Sequence, residues 1–212
     1  MNNKQTTNQI IAKEGIKSIL LSGILVLLCI FIHLNILALV FFIVCLFFIV
    51  LFRNPERITH CRKDDVIFAP CDGIVRDIAT NGDITTIKIA VQMFDVGILR
   101  TPLFVDSILA LYRYGLFIKD DEALKEVLNT RHIINGIRDG VVLYSMGLFP
   151  EVWNKVSIYS LDLAFAGDRI GFMKYGYVHL CIHSPCDIKV QKGDNVLAGE
   201  SVLGKLKSGE RL

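Results

Sequence analysis

The chain has 212 residues, 52% of them hydrophobic, yet it carries 23 Lys and Arg and 21 Asp and Glu. None of these charges lies between Ser18 and Phe52, so the remaining residues are charged at about a quarter of their positions, the ordinary globular level. An apolar membrane segment joined to a water-soluble domain is implied. A simple soluble protein, a disordered chain and a multi-span transporter are excluded, and a net charge of +2 with no basic, aromatic-interleaved stripe argues against nucleic acid as a partner.

In chain order, residues 1–17 form a tail expected in the cytoplasm and 18–52 a transmembrane segment. The apolar run is interrupted at His33-Leu34-Asn35, leaving 18–32 and 36–52 as two arms. Each arm would cover only about 22–26 Å, while one straight helix through all of it would be about 50 Å long, too long for a bilayer core. A helical hairpin turning at His33–Asn35 fits better than a single span, a re-entrant loop or a signal peptide. Lys13 and Lys17 precede it and Arg53 and Arg57 follow it, so the positive-inside rule puts both ends on the cytoplasmic face of the inner membrane.

Residues 53–212 read as one mostly β (α+β) domain, barrel-like or sandwich-like, with few helices. Alternating runs bounded by turn residues predict strands over 66–69, 73–78, 85–91, 156–161, 177–183, 187–190 and 195–205. Asn81-Gly82-Asp83 predicts a hairpin turn, and 121–128 the one helix. Gly167-Asp168 and Gly193-Asp194 suggest a weak internal repeat. The six cysteines contain no Cys-x-x-Cys pair, which fits reduced thiols. His179, Cys181 and His183 share a strand face, but at about 7 Å per step they do not converge on a metal unless the strand bends. No metal site is expected.

Six stretches carry a family pattern. They are Ala12-Lys13-Glu14-Gly15; Phe52-Arg53-Asn54-Pro55-Glu56-Arg57; Ala69-Pro70-Cys71-Asp72-Gly73-Ile74-Val75; Phe94-Asp95-Val96-Gly97-Ile98-Leu99-Arg100-Thr101-Pro102; the run from Ala166 to Gly176; and the run from Gly193 to Val202. In this order, around a membrane hairpin, they resemble the short bacterial and archaeal form of phosphatidylserine decarboxylase. The resemblance covers about residues 12–206 and is weaker between about 117 and 160.

The resemblance implies a membrane-anchored β domain acting in phosphatidylethanolamine synthesis. It also implies self-cleavage, in which a serine hydroxyl attacks the carbonyl of the preceding glycine. β-Elimination and hydrolysis then leave a pyruvoyl group that acts as the electron sink for loss of CO₂. An Asp/His pair would activate the serine.

Residue by residue, Asp72 matches the acidic member. The histidine position falls on Gly97, which moves no proton, and the glycine–serine junction falls on Gly176-Tyr177. A phenol on a rigid ring does not reach the preceding carbonyl and offers no β-leaving group. None of the sixteen glycines is followed by Ser, Thr or Cys.

A non-processing pseudoenzyme without a pyruvoyl cofactor is therefore expected. Its partners would be membrane phospholipid such as phosphatidylserine and an active decarboxylase or other lipid enzyme. An active decarboxylase with an atypical site is the alternative. Arg100 is a candidate for holding a phosphate or carboxylate, or else a structural ion-pair residue. Arg53 and Arg57 are candidate headgroup contacts or juxtamembrane anchors. Asp72 also suits turn chemistry alone. Phe172-Met173-Lys174-Tyr175 superficially resembles the lysine turn of biotinyl and lipoyl carriers, but the decarboxylase register makes Lys174 a surface lysine beside the former processing site.

Overall fold

A computed structural model describes residues 10–57, 59, 64–115, 131–151, 156–159 and 163–207. The helix expected at 121–128 and the end of the strand expected at 156–161 lie outside the described residues. The chain divides into two compact units, Met1–Glu56 and Arg57–Leu212.

The first unit is a pair of helices, α1 (Lys13–Phe31) and α2 (Asn35–Leu51), joined by a turn in which His33 holds a left-handed backbone (φ 61°). Small side chains bring the helices together: Ser22 and Cys29 of α1 and Ala38 of α2 are buried. α1 starts earlier than the charge-free run because Lys13, Glu14 and Lys17 fit its solvated first turns. By length and composition it is long and apolar enough to cross a membrane, whereas α2 has 17 residues. The two feet are tied together: Ala12 N–H donates to Phe52 O at 2.8 Å and Asn54 N–H to Ile10 O at 2.7 Å. A Cβ on Gly15 would collide with the Phe52 ring, so glycine there is what lets the feet close.

The second unit is mostly β. Its strands are β1 (Val66–Phe68), β2 (Gly73–Asn81), β3 (Ile84–Val91), β4 (Ile98–Arg100), β5 (Ser107–Arg113), β6 (Arg131–Arg138), β7 (Val141–Pro150), β8 (Ser157–Ile158), β9 (Arg169–Phe172), β10 (Gly176–Ile182), β11 (Cys186–Ile188), β12 (Asn195–Val196) and β13 (Val202–Leu206). A seven-stranded antiparallel sheet runs β12-β2-β3-β10-β7-β6-β5, beside two three-stranded sheets, β1-β13-β11 and β4-β9-β8. The arrangement is sandwich-like, and among the described residues no sheet closes into a barrel.

Period-two alternation builds the core. Val178, Leu180 and Ile182 of β10, Ile87 and Ile89 of β3, and Met146 and Leu148 of β7 all turn to one face. There they join Ile67, Leu99, Ile170 and Leu203 from the smaller sheets. Tyr177, His179 and Cys181 alternate to the other face. The β2–β3 hairpin turns at Gly82-Asp83 with Gly82 at φ 61°, as the sequence predicts. Asp139-Gly140 makes a second two-residue turn between β6 and β7, both residues at positive φ, the primed geometry that suits strand twist.

The two Gly-Asp turns belong to a set of three. Asp95, Asp168 and Asp194 each accept a hydrogen bond from the backbone N–H three residues earlier, at 2.7, 2.8 and 2.8 Å.

Candidate functional site

Asp72 sits at the turn into β2. The next residue, Gly73, has φ 152°, and a Cβ there would strike the Ala90 carbonyl, so the turn requires glycine. The Asp72 side chain is 7% exposed and its acceptors are engaged: Oδ2 accepts from Arg57 Nη2 at 2.7 Å, and Oδ1 from Arg57 Nη1 and from Ala198 N–H at 2.8 Å. Arg57 Nη1 also donates to Ala198 O at 3.1 Å. Burial alone would lower the Arg57 pKa; the Asp72 hydrogen bond and charge, with Glu200 beyond, outweigh it and hold the guanidinium above its ordinary value. Arg57 therefore turns into the β domain as the partner of Asp72. Arg53 is exposed in the helical unit, its backbone bridged to Ile11.

Gly97 precedes β4, and its carbonyl accepts from Met173 N–H at 2.8 Å. The space a side chain would need there is taken: a Cβ would lie 2.8 Å from Phe172 Cε2 and 2.9 Å from the Met173 carbonyl oxygen. Lys174 corrects the expectation of a surface lysine. It is 2% exposed, and its ammonium turns inward to donate to the carbonyls of Met93 (3.1 Å) and Asp95, so the charge is solvated by the backbone of the 92–95 turn.

Gly176 opens β10 at φ 148°, where a Cβ would collide with Phe149 O. Tyr177 pairs with Ala90 on one side and Phe149 on the other, so its backbone is in register within the sheet. Tyr177 lines a cavity of about 360 Å³ with Arg76, Phe94, Glu151 and Tyr175. Asp72 is not on that wall. The structure thus brings Asp72 together with Arg57 and the backbone of Ala198.

Arg100 is buried, with Nη1 donating to Gly167 O at 2.7 Å. Burial first, then the nearby charges of Arg169 and Arg57, push its pKa down to about 10, which leaves it cationic at neutral pH. Its stem passes where a side chain on Gly199 (φ 74°) would lie. Arg100 therefore ties the 167 and 199 turns together. His179 stacks on Phe149 at 4.6 Å, Cys181 accepts from Thr86 Oγ1 at 3.5 Å, and His183 Nε2 lies 2.9 Å from Ser145 Oγ. Among the described residues no three His, Cys, Asp or Glu side chains form a group able to hold a metal ion.

Sequence reasoning missed the Arg57–Asp72 pair, the Phe172 ring over Gly97 and the presence of Arg76 and Glu151 at the cavity. All are long-range contacts, from 15 to more than 70 residues apart along the chain, and no local pattern encodes them.

Comparison with known proteins finds relatives of the sequence. The family model described as phosphatidylserine decarboxylase matches residues 44–204. A protein of Geotalea uraniireducens named phosphatidylserine decarboxylase proenzyme is 28% identical over 97% of this chain and 100% of its own length. Proteins of the same name from Geobacter sp. (strain M21) and Geobacter metallireducens are 32% and 30% identical, over 86% and 80% of this chain and 89% and 82% of theirs. No solved structure matches. The chain belongs to the phosphatidylserine decarboxylase family. In this chain Gly176 is followed by the phenol of Tyr177, and Phe172 fills the space beside Gly97.

Proposed function

We propose that this chain is a membrane-bound, phospholipid-binding member of the family that keeps the fold without the self-cleavage, and hence without pyruvoyl-dependent decarboxylation. The observation that carries this reading is the Gly176-Tyr177 junction. A rigid phenol stands where the nucleophile is needed, within a strand paired on both sides. The base position is equally changed, with Phe172 packed over Gly97. Once the serine is gone, a base to activate it has no task, so the two changes belong together.

The exposed apolar surfaces of α1 and α2, and the joined feet bearing Lys13, Lys17 and Arg53, support a hairpin inserted in the inner membrane with the β domain in the cytoplasm. There the protein would bind phosphatidylserine or a related phospholipid, or regulate an active decarboxylase or other lipid enzyme. The retained Asp72 and the names of the relatives favour one second reading, an active phosphatidylserine decarboxylase with an atypical site. Intact mass of the chain purified from membranes decides between them. A single species of 23.8 kDa is expected, whereas a C-terminal fragment beginning at Tyr177 and blocked at its N-terminus overturns the proposal.

A further inference from the structure

The two ends of the seven-stranded sheet carry turns of different chemistry. At one end the β2–β3 and β6–β7 hairpins close on Asn81-Gly82-Asp83 and Asp139-Gly140, residues that suit both a tight turn and water. At the other end the register gathers the ends of β12, β2, β3, β10 and β7 into one rim: Val196 pairs with Gly73, Ile74 with Ala90, and Gly176 with both Val91 and Pro150. Two turns project from this rim, one at 92–95, where Asp95 N–H donates to Gln92 O, and one at 197–200, where Glu200 N–H donates to Leu197 O. Each presents a large apolar side chain where turns are ordinarily polar, Phe94 at 60% exposure and Leu197 at 46%.

A single exposed apolar residue calls for no explanation. Here two stand on turn tips at the end of the sheet where the chain arrives from the helical hairpin. Arg57 is held at this rim, on Asp72 just before β2 and on the Ala198 carbonyl of the 197–200 turn. Only residues 53–56 separate Arg57 from Phe52, the end of the charge-free run, a span of about 18 Å at full stretch.

We propose that Phe94 and Leu197 anchor the β domain in the headgroup–acyl boundary of the membrane that holds the hairpin, at the depth of about 5–10 Å reached by interfacial apolar side chains. The polar turns at 82–83 and 139–140 then face away from the bilayer. Two anchors beside the Arg57 tether hold the domain in one orientation instead of letting it swing on its linker. The inference rests on the reading that the hairpin is inserted in a membrane. The contact is apolar: neither turn contains Lys or Arg, and each carries a carboxylate, Asp95 or Glu200. It therefore holds on zwitterionic lipid and survives high salt, unlike a polybasic attachment.

The test uses the full chain in phosphatidylcholine nanodiscs, part of the lipid brominated near the top of its acyl chains, with Trp153→Phe removing the single tryptophan. One tryptophan is then placed at a time: Phe94→Trp or Leu197→Trp on the rim, or Val141→Trp at the exposed start of β7, at the opposite end. Bromolipid quenching at either rim position is expected to exceed that at Val141→Trp by at least about 3-fold, at low and high salt alike. Adding Phe94→Asp to the Leu197→Trp chain, or Leu197→Asp to the Phe94→Trp chain, is expected to cut quenching by about 2-fold or more, since a carboxylate resists leaving water. Melting temperatures show that each variant keeps its fold. Equal quenching at all three positions, loss of quenching at high salt, or indifference of both rim reporters to the added aspartates overturns the inference. So do rim tryptophans that bromolipid leaves unquenched but that aqueous iodide reaches less in native membranes than in nanodiscs, which assigns the tips to a protein partner. Release of the parent chain from membranes by alkaline carbonate overturns the membrane reading itself. A chain that resists carbonate yet shows unquenched rim tryptophans overturns this inference alone.

Discussion

Gly97 and Phe172 divide one space between them: a Cβ on Gly97 would lie 2.8 Å from Cε2 and 2.9 Å from Cζ of Phe172. Ile98, the next residue, pairs with Phe172 across β4 and β9, so the backbone register sets the Phe172 side chain beside Gly97. Gly97→His is expected to destabilise the fold by about 1–3 kcal/mol through overpacking. Adding Phe172→Ala should make the double variant more stable than the sum of the two single effects. Denaturant unfolding of the four proteins checks this; strict additivity would mean the two side chains do not compete.

The Arg57–Asp72 pair is almost dry, its side chains 8% and 7% exposed. Removing one partner of such a pair leaves a buried charge, so Arg57→Ala is expected to cost about 3–5 kcal/mol. Arg57→Met with Asp72→Leu, which removes both charges, should recover much of that loss. The Ala198 N–H, which Asp72 also holds, becomes the reporter: its hydrogen exchange should accelerate in Arg57→Ala. Unchanged exchange would show that the 198 turn does not depend on the pair.

Lys174 gives a third expectation. Its ammonium stands on the Met93 and Asp95 carbonyls, and hydrogen bonds from charged groups are the stronger kind. Lys174→Met keeps the stem but strands those carbonyls, with an expected loss of about 1–3 kcal/mol. A variant as stable as the parent would show that water solvates the carbonyls equally well.

Acid should weaken the fold through His132. Burial lowers its pKa below 6.5, and its ring packs edge-on to Tyr112 at 4.5 Å. Between that lowered value and 6.5 the unfolded chain binds the proton and the folded chain does not, so stability rises with pH across the window and falls on acidification. His132→Gln is expected to flatten the dependence there. Chemical denaturation at a series of pH values reads it, and an unaltered slope assigns the effect elsewhere.

How far the sequence spoke depended on how local the signal was. The helical hairpin was visible because 35 residues lack any charge, and β3 and β10 because apolar and polar residues alternate cleanly. β5, β6 and β7 were not recognised. Outward positions such as Leu109, Ile133 and Phe149 are themselves apolar, which erases the period of two. Gly97 and Tyr177 were legible as residues, while what surrounds them was not. Phe172 over Gly97, and Arg76 with Glu151 beside Tyr177, come from strands far apart in sequence.

Gly176 shows why half of the junction persists. Its φ of 148° and the Phe149 carbonyl facing its Cα leave no room for a side chain, so glycine is required by the β7–β10 pairing whether or not the next residue reacts. Gly176→Ala is thus expected to cost more than about 1 kcal/mol, from backbone strain and collision together. Tyr177→Ser is the complementary change. It restores a hydroxyl in register after Gly176, yet Gly97 offers no base, and the carboxylate of Asp72 is occupied by Arg57 and Ala198. The expected outcome is a full-length chain by intact mass, even after prolonged incubation. A C-terminal fragment from Tyr177→Ser alone would show that the fold still activates a hydroxyl at this position, and that the phenol of Tyr177 is the only block to cleavage.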